Sequence, residues 1–223
     1  MKTWILTTLS VALVLSATLP SLAVAGQNPN AMLALHIGTR TGKNLCQVAL
    51  PADCQSYVTD TIDSGFFNLY LTVSNYDTMG VAGLQFGIDY DNANGQGCDI
   101  SGWTSCADLE FSQNEWPQAN SGNLMTWENV GNCQGDLDTF TPVLAGVFEV
   151  TTYSGDVFSI TARPVDGKAK VADCLGAEND ITDMSPSRLG SVSFGLSTGY
   201  NPCETQVPVR RTTWGGIKSL FEN

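Results

Sequence analysis

The chain has 223 residues, 22 Asp and Glu against 10 Lys and Arg, a net charge of −12 at pH 7, and seven cysteines. So acidic a body repels phosphate backbones and anionic lipid, which argues against nucleic-acid and membrane-surface roles. The length suffices for one sizeable core and is marginal for two.

The first 25 residues have the layout of a secretory signal peptide. Met1-Lys2 is a short basic start, residues 5–15 are almost wholly apolar, and Ala23-Val24-Ala25 is a small-x-small cleavage site before Gly26. The apolar stretch is shorter than the roughly 20 residues needed to span a bilayer. The chain is therefore expected to be secreted, extracellular or at the cell surface, without membrane insertion.

Short strands separated by turn formers follow. Residues 32–37 open the series. Phe67, Leu69, Leu71 and Val73 alternate with polar or smaller residues, as do Leu84, Phe86, Ile88 and Tyr90, the period-2 pattern of strands with one buried face. Further strands are expected at 100–104, 107–111, 123–127, 143–150, 157–162, 170–174 and 191–194. Ser74-Asn75-Tyr76-Asp77, residues 91–95, Asn120-Ser121-Gly122 and Ser154-Gly155-Asp156 punctuate them. The pattern predicts an all-β fold, an antiparallel β-sandwich or jelly roll over 26–204, with a short C-terminal tail at 205–223.

In an exported chain, cysteines are read as disulfides. If the segments around the wide turn at 116–123 form a hairpin with Trp116 opposite Asn123, Cys106 falls opposite Cys133. Cys46–Cys54 would close a short loop and Cys174–Cys203 would tie the last strands together, leaving Cys98 over. The competing pairing joins Cys98 to Cys106 and leaves Cys133 free.

Catalytic constellations are sparse. His36, the single histidine, lies in the first strand and is the only imidazole base available to a nucleophile. Glu110, Glu115, Glu128 and Glu149 lie near strands, without a reason to pair any two as a glycosidase would. Asp89-Tyr90-Asp91-Asn92-Ala93-Asn94-Gly95 resembles a calcium loop, but Ala93 stands at the fifth position and Ile100 at the twelfth, where a bidentate Glu is needed. It reads as a strand-ending turn. No metal, no cofactor and no enzymatic activity are expected. Trp103, Trp116 and Trp127 cluster around the hairpin, either as core or as an exposed platform for an extracellular glycan.

From residue 205 on, the tail carries Arg210, Arg211 and Lys218 against Glu222 alone. Pro208 favours an extended start. Thr213 can cap a short helix with Trp214, Ile217, Leu220 and Phe221 on one face, although Gly215-Gly216 weakens it. Side chains of this kind are worth roughly 1.5–3 kcal/mol each when buried. Their seat is the chain's own body, a neighbouring copy, or export machinery.

Val81-Ala82-Gly83-Leu84-Gln85-Phe86-Gly87-Ile88-Asp89-Tyr90-Asp91 and Leu144-Ala145-Gly146-Val147-Phe148-Glu149-Val150 resemble strands of the cohesin-like and carbohydrate-binding-module-like jelly rolls of secreted bacterial proteins. The resemblance implies a non-catalytic binding or assembly role and carries over no site residue. Residues 213–221 resemble the ending of a group of uncharacterised secreted bacterial proteins. The resulting expectation is a structural subunit that self-assembles head-to-tail through its tail into an extracellular fibril or surface layer. The alternative is a secreted carbohydrate- or protein-binding module.

Overall fold

Leu69, Leu71 and Val73 bury themselves on one side of their strand, while Tyr70, Thr72 and Ser74 face the other way, as the two-residue period of an extended chain requires. The same alternation recurs from strand to strand, and two sheets close over the apolar sides. The computed structural model describes residues 26–62, 64–93, 95–113, 115–128, 131–135 and 139–204. The segment expected to be a signal peptide, residues 1–25, and the tail, with Arg210, Arg211, Trp214, Ile217, Lys218, Leu220 and Phe221, lie outside the described residues.

In chain order the strands are β1 (Met32–Thr39), β2 (Asp60–Thr61), β3 (Gly65–Ser74), β4 (Gly83–Asp89), β5 (Cys98–Ser105) and β6 (Leu109–Glu110). They continue with β7 (Ser121–Thr126), β8 (Val143–Thr152), β9 (Asp156–Thr161), β10 (Lys170–Ala172), β11 (Glu178–Asp180) and β12 (Ser191–Phe194). One sheet has the order β1-β3-β8-β5. The other runs β11-β10-β4-β9-β12-β2, with β7 pairing β4 and β6 pairing β7. The pairing is antiparallel except where β2 runs parallel to β12 and at a single parallel bridge between Leu33 and Leu189, local departures from the antiparallel expectation. The fold is an all-β sandwich of the jelly-roll kind.

The core lies between the sheets. Phe86, Phe148, Phe158 and Phe194 are fully buried there, and an aromatic chain runs Trp103–Phe148–Phe158–Tyr90 at centroid spacings of 4.3, 5.0 and 5.5 Å.

The disulfides correct the predicted pairing. Cys46 joins Cys106, Cys54 joins Cys203, and Cys133 joins Cys174. The same six cysteines are used and Cys98 is free and buried, but none of the three predicted partners is right. Cys106 is bound to the smaller sheet, its N–H donating to Ala145 O at 2.9 Å. The hairpin around the wide turn is β6–β7, with Glu110 opposite Met125. Cys106 and Cys133 both lie beyond its paired part. Loops of this length, with sequence separations of 60, 149 and 41 residues, are worth on the order of 4 kcal/mol each against the unfolded chain.

Candidate functional site

The two outer faces of the sandwich differ. A strap, residues 40–58, crosses the outer face of the smaller sheet, fixed by Cys46–Cys106 and Cys54–Cys203. Beneath it Tyr57 packs on Met32 and Ala34, and Val147, which faces outward between Tyr70 and Thr104, is fully buried. That face is closed.

On the larger sheet the described residues place no such strap over β6, and the loop at 162–168 covers only part of β4 and β7, where Gln85 is buried with its amide on Asp166 and Lys168 O. The register of this sheet sets two rows of outward side chains across it. Leu109, Thr126, Gly83, Ala172 and Glu178 stand side by side, and next to them Phe111, Leu124, Gln85, Lys170 and Asp180. One bank is apolar: Leu109 and Phe111 are 59% and 55% exposed, on the outermost strand. The middle of the first row is low, because Gly83 and Ala172 raise almost nothing between Thr126 and Glu178. The far bank is ionic, with Lys170 Nζ to Glu178 at 2.8 Å and Lys168 Nζ to Asp180 at 2.6 Å. The Lys168 ammonium and the Thr182 hydroxyl hold the Asp180 carboxyl down at about 2. The depression has a volume of about 60 Å³, far below the 300 Å³ at which pockets begin to enclose a small molecule. It is a shallow depression on the sheet surface.

Negative charge flanks the apolar bank. Asp108 precedes Leu109 and accepts the Glu128 N–H at 2.9 Å and the Asn132 amide at 2.9 and 3.0 Å. Those bonds hold its carboxyl below the usual range, so it stays ionised beside Leu109.

Two larger hollows, of about 320 and 380 Å³, adjoin Cys46. Lys43 is the one charged side chain among their described lining residues, so neither holds an acid–base pair. Among the described residues, no three His, Cys, Asp or Glu side chains are placed to share a metal ion. His36 is half-buried between Tyr57 and Tyr70, at 5.0 and 6.2 Å. Its Nδ1 accepts the Val58 N–H at 3.0 Å, and burial lowers its pKa. The imidazole is a brace for the strap. Glu149 faces outward toward Arg40 at 3.5 Å, whereas Glu110 faces the seam between the sheets, so these two carboxylates are apart. The loop after β4 is tied by protein groups. The Asp156 carboxylate accepts the N–H groups of Asp91 and Cys98, and Asp91 Oδ1 accepts the Ala93 N–H.

The tryptophans differ from a stacking platform. Trp103 and Trp116 meet edge to face, 5.3 Å apart at 88°. Trp103 also lies over Gly146, where a Cβ would collide with its ring. Trp127 is buried, its Nε1 donating to Cys106 O at 2.9 Å. Perpendicular rings in a seam present no common plane to a sugar.

Sequence reasoning missed this exposed apolar bank. In 107–111 the apolar Leu109 and Phe111 look outward and the charged Glu110 looks in. The usual assignment of apolar residues to the core inverts this strand. A usable signal was Trp103 and Asn123, two donors needing a buried acceptor, which Glu110 supplies.

No family model and no curated protein matches the chain. Among solved structures it is similar to a cohesin module from the Clostridium perfringens ATCC13124 family 33 glycoside hydrolase, at 12% identity over 74% of this chain and 96% of that one, with a TM-score of 0.43. It is also similar to a type II cohesin domain from the cellulosome of Acetivibrio cellulolyticus, with the same identity, coverage and score. The sixth cohesin of that organism's scaffoldin B, solved in complex with a Cel5 dockerin, is 9% identical over 74% and 99% of the two chains, with a TM-score of 0.43.

Proposed function

We propose that the mature protein is an exported, non-catalytic protein-binding module. It takes a peptide segment bearing apolar and basic side chains on the open face of its larger sheet. The carrying observation is the pair Leu109 and Phe111, more than half exposed on the outermost strand beside the ionised Asp108. Two large apolar side chains left open side by side at a sheet edge form a patch that marks an interaction surface, so their presence in an acidic protein points to a partner that covers them. Apolar anchors of the partner would lie against Leu109, Phe111 and Leu124 and over the low ground at Gly83 and Ala172. Basic neighbours would meet Asp108 and Glu128. Anchors of this kind supply most of the affinity, and the charges set orientation and association rate.

A displayed random-peptide library panned against the full mature chain tests this. Selected peptides should combine apolar with Lys or Arg residues. They should bind a Leu109→Ser, Phe111→Ser double variant at least tenfold more weakly, with an unchanged circular dichroism spectrum. Peptides that bind the double variant equally well would show that the face is not the site.

A further inference from the structure

We infer that the segment received by this face is the chain's own C-terminal tail, residues 207–221, contributed by a second copy. The inference rests on the binding reading above and names its partner. Three observations carry it. The tail has the chemistry that the face asks for: Trp214, Ile217, Leu220 and Phe221, interspersed with Arg210, Arg211 and Lys218, three of the ten Lys and Arg of an otherwise acidic chain. The body offers the complement, Leu109 and Phe111 exposed beside Asp108 and Glu128.

The point of departure is the second observation. Cys203 is bridged to Cys54 and packs on Met32 and Ala34, and Asn201 Nδ2 donates to Cys54 O at 2.8 Å. The tail therefore leaves at β1, on the outer side of the smaller sheet. The receiving bank is at β6, which adjoins β5 across the seam through Trp103 and Glu110. β1 and β5 are opposite edges of the smaller sheet, about 14 Å apart at ~4.8 Å per strand, and the receiving face is a further sheet thickness of about 10 Å away. Donor and acceptor thus occupy diagonally opposed corners. A tail docking on its own body must wrap around the sandwich, whereas a neighbouring copy can present the face directly.

Reach is the third. Nineteen residues, 205–223, follow Glu204, enough to extend about 60 Å at ~3.3 Å per residue. Because the donor and acceptor surfaces differ, the contact is heterologous. It propagates as an open chain of subunits unless its rotation closes a ring.

The test uses the full mature chain in three forms: unaltered, with the face altered (Leu109→Ser, Phe111→Ser), and with the tail altered (Trp214→Ser, Phe221→Ser). Each is followed by sedimentation velocity across a hundredfold range of concentration. The unaltered protein should gain mass with concentration, and each variant alone should remain a monomer. An equimolar mixture of the two variants should form a species of two chains, since one supplies an intact tail and the other an intact face. Raising salt to 0.5 M should weaken association several-fold as the ionic contribution is screened. An unaltered protein that stays monomeric, a tail variant that associates as the unaltered protein does, or a mixture that yields no two-chain species would each overturn the inference. Library-selected peptides that still bind the tail variant, and lose binding when the face is altered, would leave the binding face standing in those cases. Loss of that binding too would bring down both.

Discussion

Trp103 Nε1 donates to the Glu110 carboxylate at 2.8 Å across the seam between the sheets. The same oxygen accepts the Asn123 side-chain amide, so one carboxylate holds a donor from β5 of the smaller sheet and one from β7 of the larger. Glu110→Ala strands both donors. An unsatisfied buried donor costs about 1–3 kcal/mol, so urea denaturation should show a loss of about 2–4 kcal/mol. Glu110→Gln retains an acceptor and should lose clearly less.

His36 gives the protein a pH-dependent stability of defined sign. Burial lowers its pKa below the ordinary imidazole value of 6.5, and Nδ1 can accept the Val58 N–H only while unprotonated. Between the lowered folded value and 6.5, the unfolded chain binds the proton more readily, so stability rises with pH across that window. The contribution is fully present above 6.5 and lost as pH falls toward the folded value. Urea midpoints measured from pH 7.5 to 5 should drop on acidification, and His36→Gln should flatten the step within that window.

Asp156 is the tie of the loop after β4. Its buried carboxylate accepts the N–H groups of Asp91, Cys98 and Val157 at 3.2, 3.1 and 2.7 Å. Asp156→Ala should cost about 2–4 kcal/mol. Amide hydrogen exchange should quicken at Asp91 and Cys98 while β3 and β8 keep their protection. Uniform acceleration throughout would mean that the carboxylate does not act locally.

Peptide mapping under non-reducing conditions should recover Cys46–Cys106, Cys54–Cys203 and Cys133–Cys174. Cys98 should resist a thiol reagent in the native protein and react after denaturation. It is fully buried beside Asp156, and burial pushes its thiol pKa up, against formation of the reactive thiolate.

Strands with an apolar side were legible from alternation alone. The expected strand at 191–194 coincides with β12, and Leu84, Phe86 and Ile88 mark the core side of β4. Two strands were invisible because partners elsewhere in the chain make them. Asp60-Thr61 of β2 is held by β12, with Ser193 Oγ on the Asp60 carboxylate. Glu178-Asn179-Asp180 of β11 is held by β10 and by Lys170. The hairpin around the wide turn was foreseen, but its register was not. Trp116 was set opposite Asn123, whereas Gln113 is opposite Gly122, and the shift removes the basis for pairing Cys106 with Cys133. The exposed bank at Leu109 and Phe111 was hidden for a related reason. A two-residue period says which residues share a side, but only the neighbouring strand decides which side faces the core.

The bridge between Cys54 and Cys203 has a mechanical consequence. A force applied to the tail enters the body at residue 203 and crosses directly to residue 54, so β2 to β12 are bypassed by the load. Unfolding under tension between Gly26 and Glu204 can then lengthen the molecule only by the slack in residues 26–54, about 100 Å at ~3.4 Å per residue. Without that bridge, and with Cys46–Cys106 and Cys133–Cys174 intact, the same stretch would yield about 260 Å at ~3.4 Å per residue, and with all three reduced about 600 Å. A string of such subunits would be nearly inextensible, and reducing agents would turn it into an elastic tether.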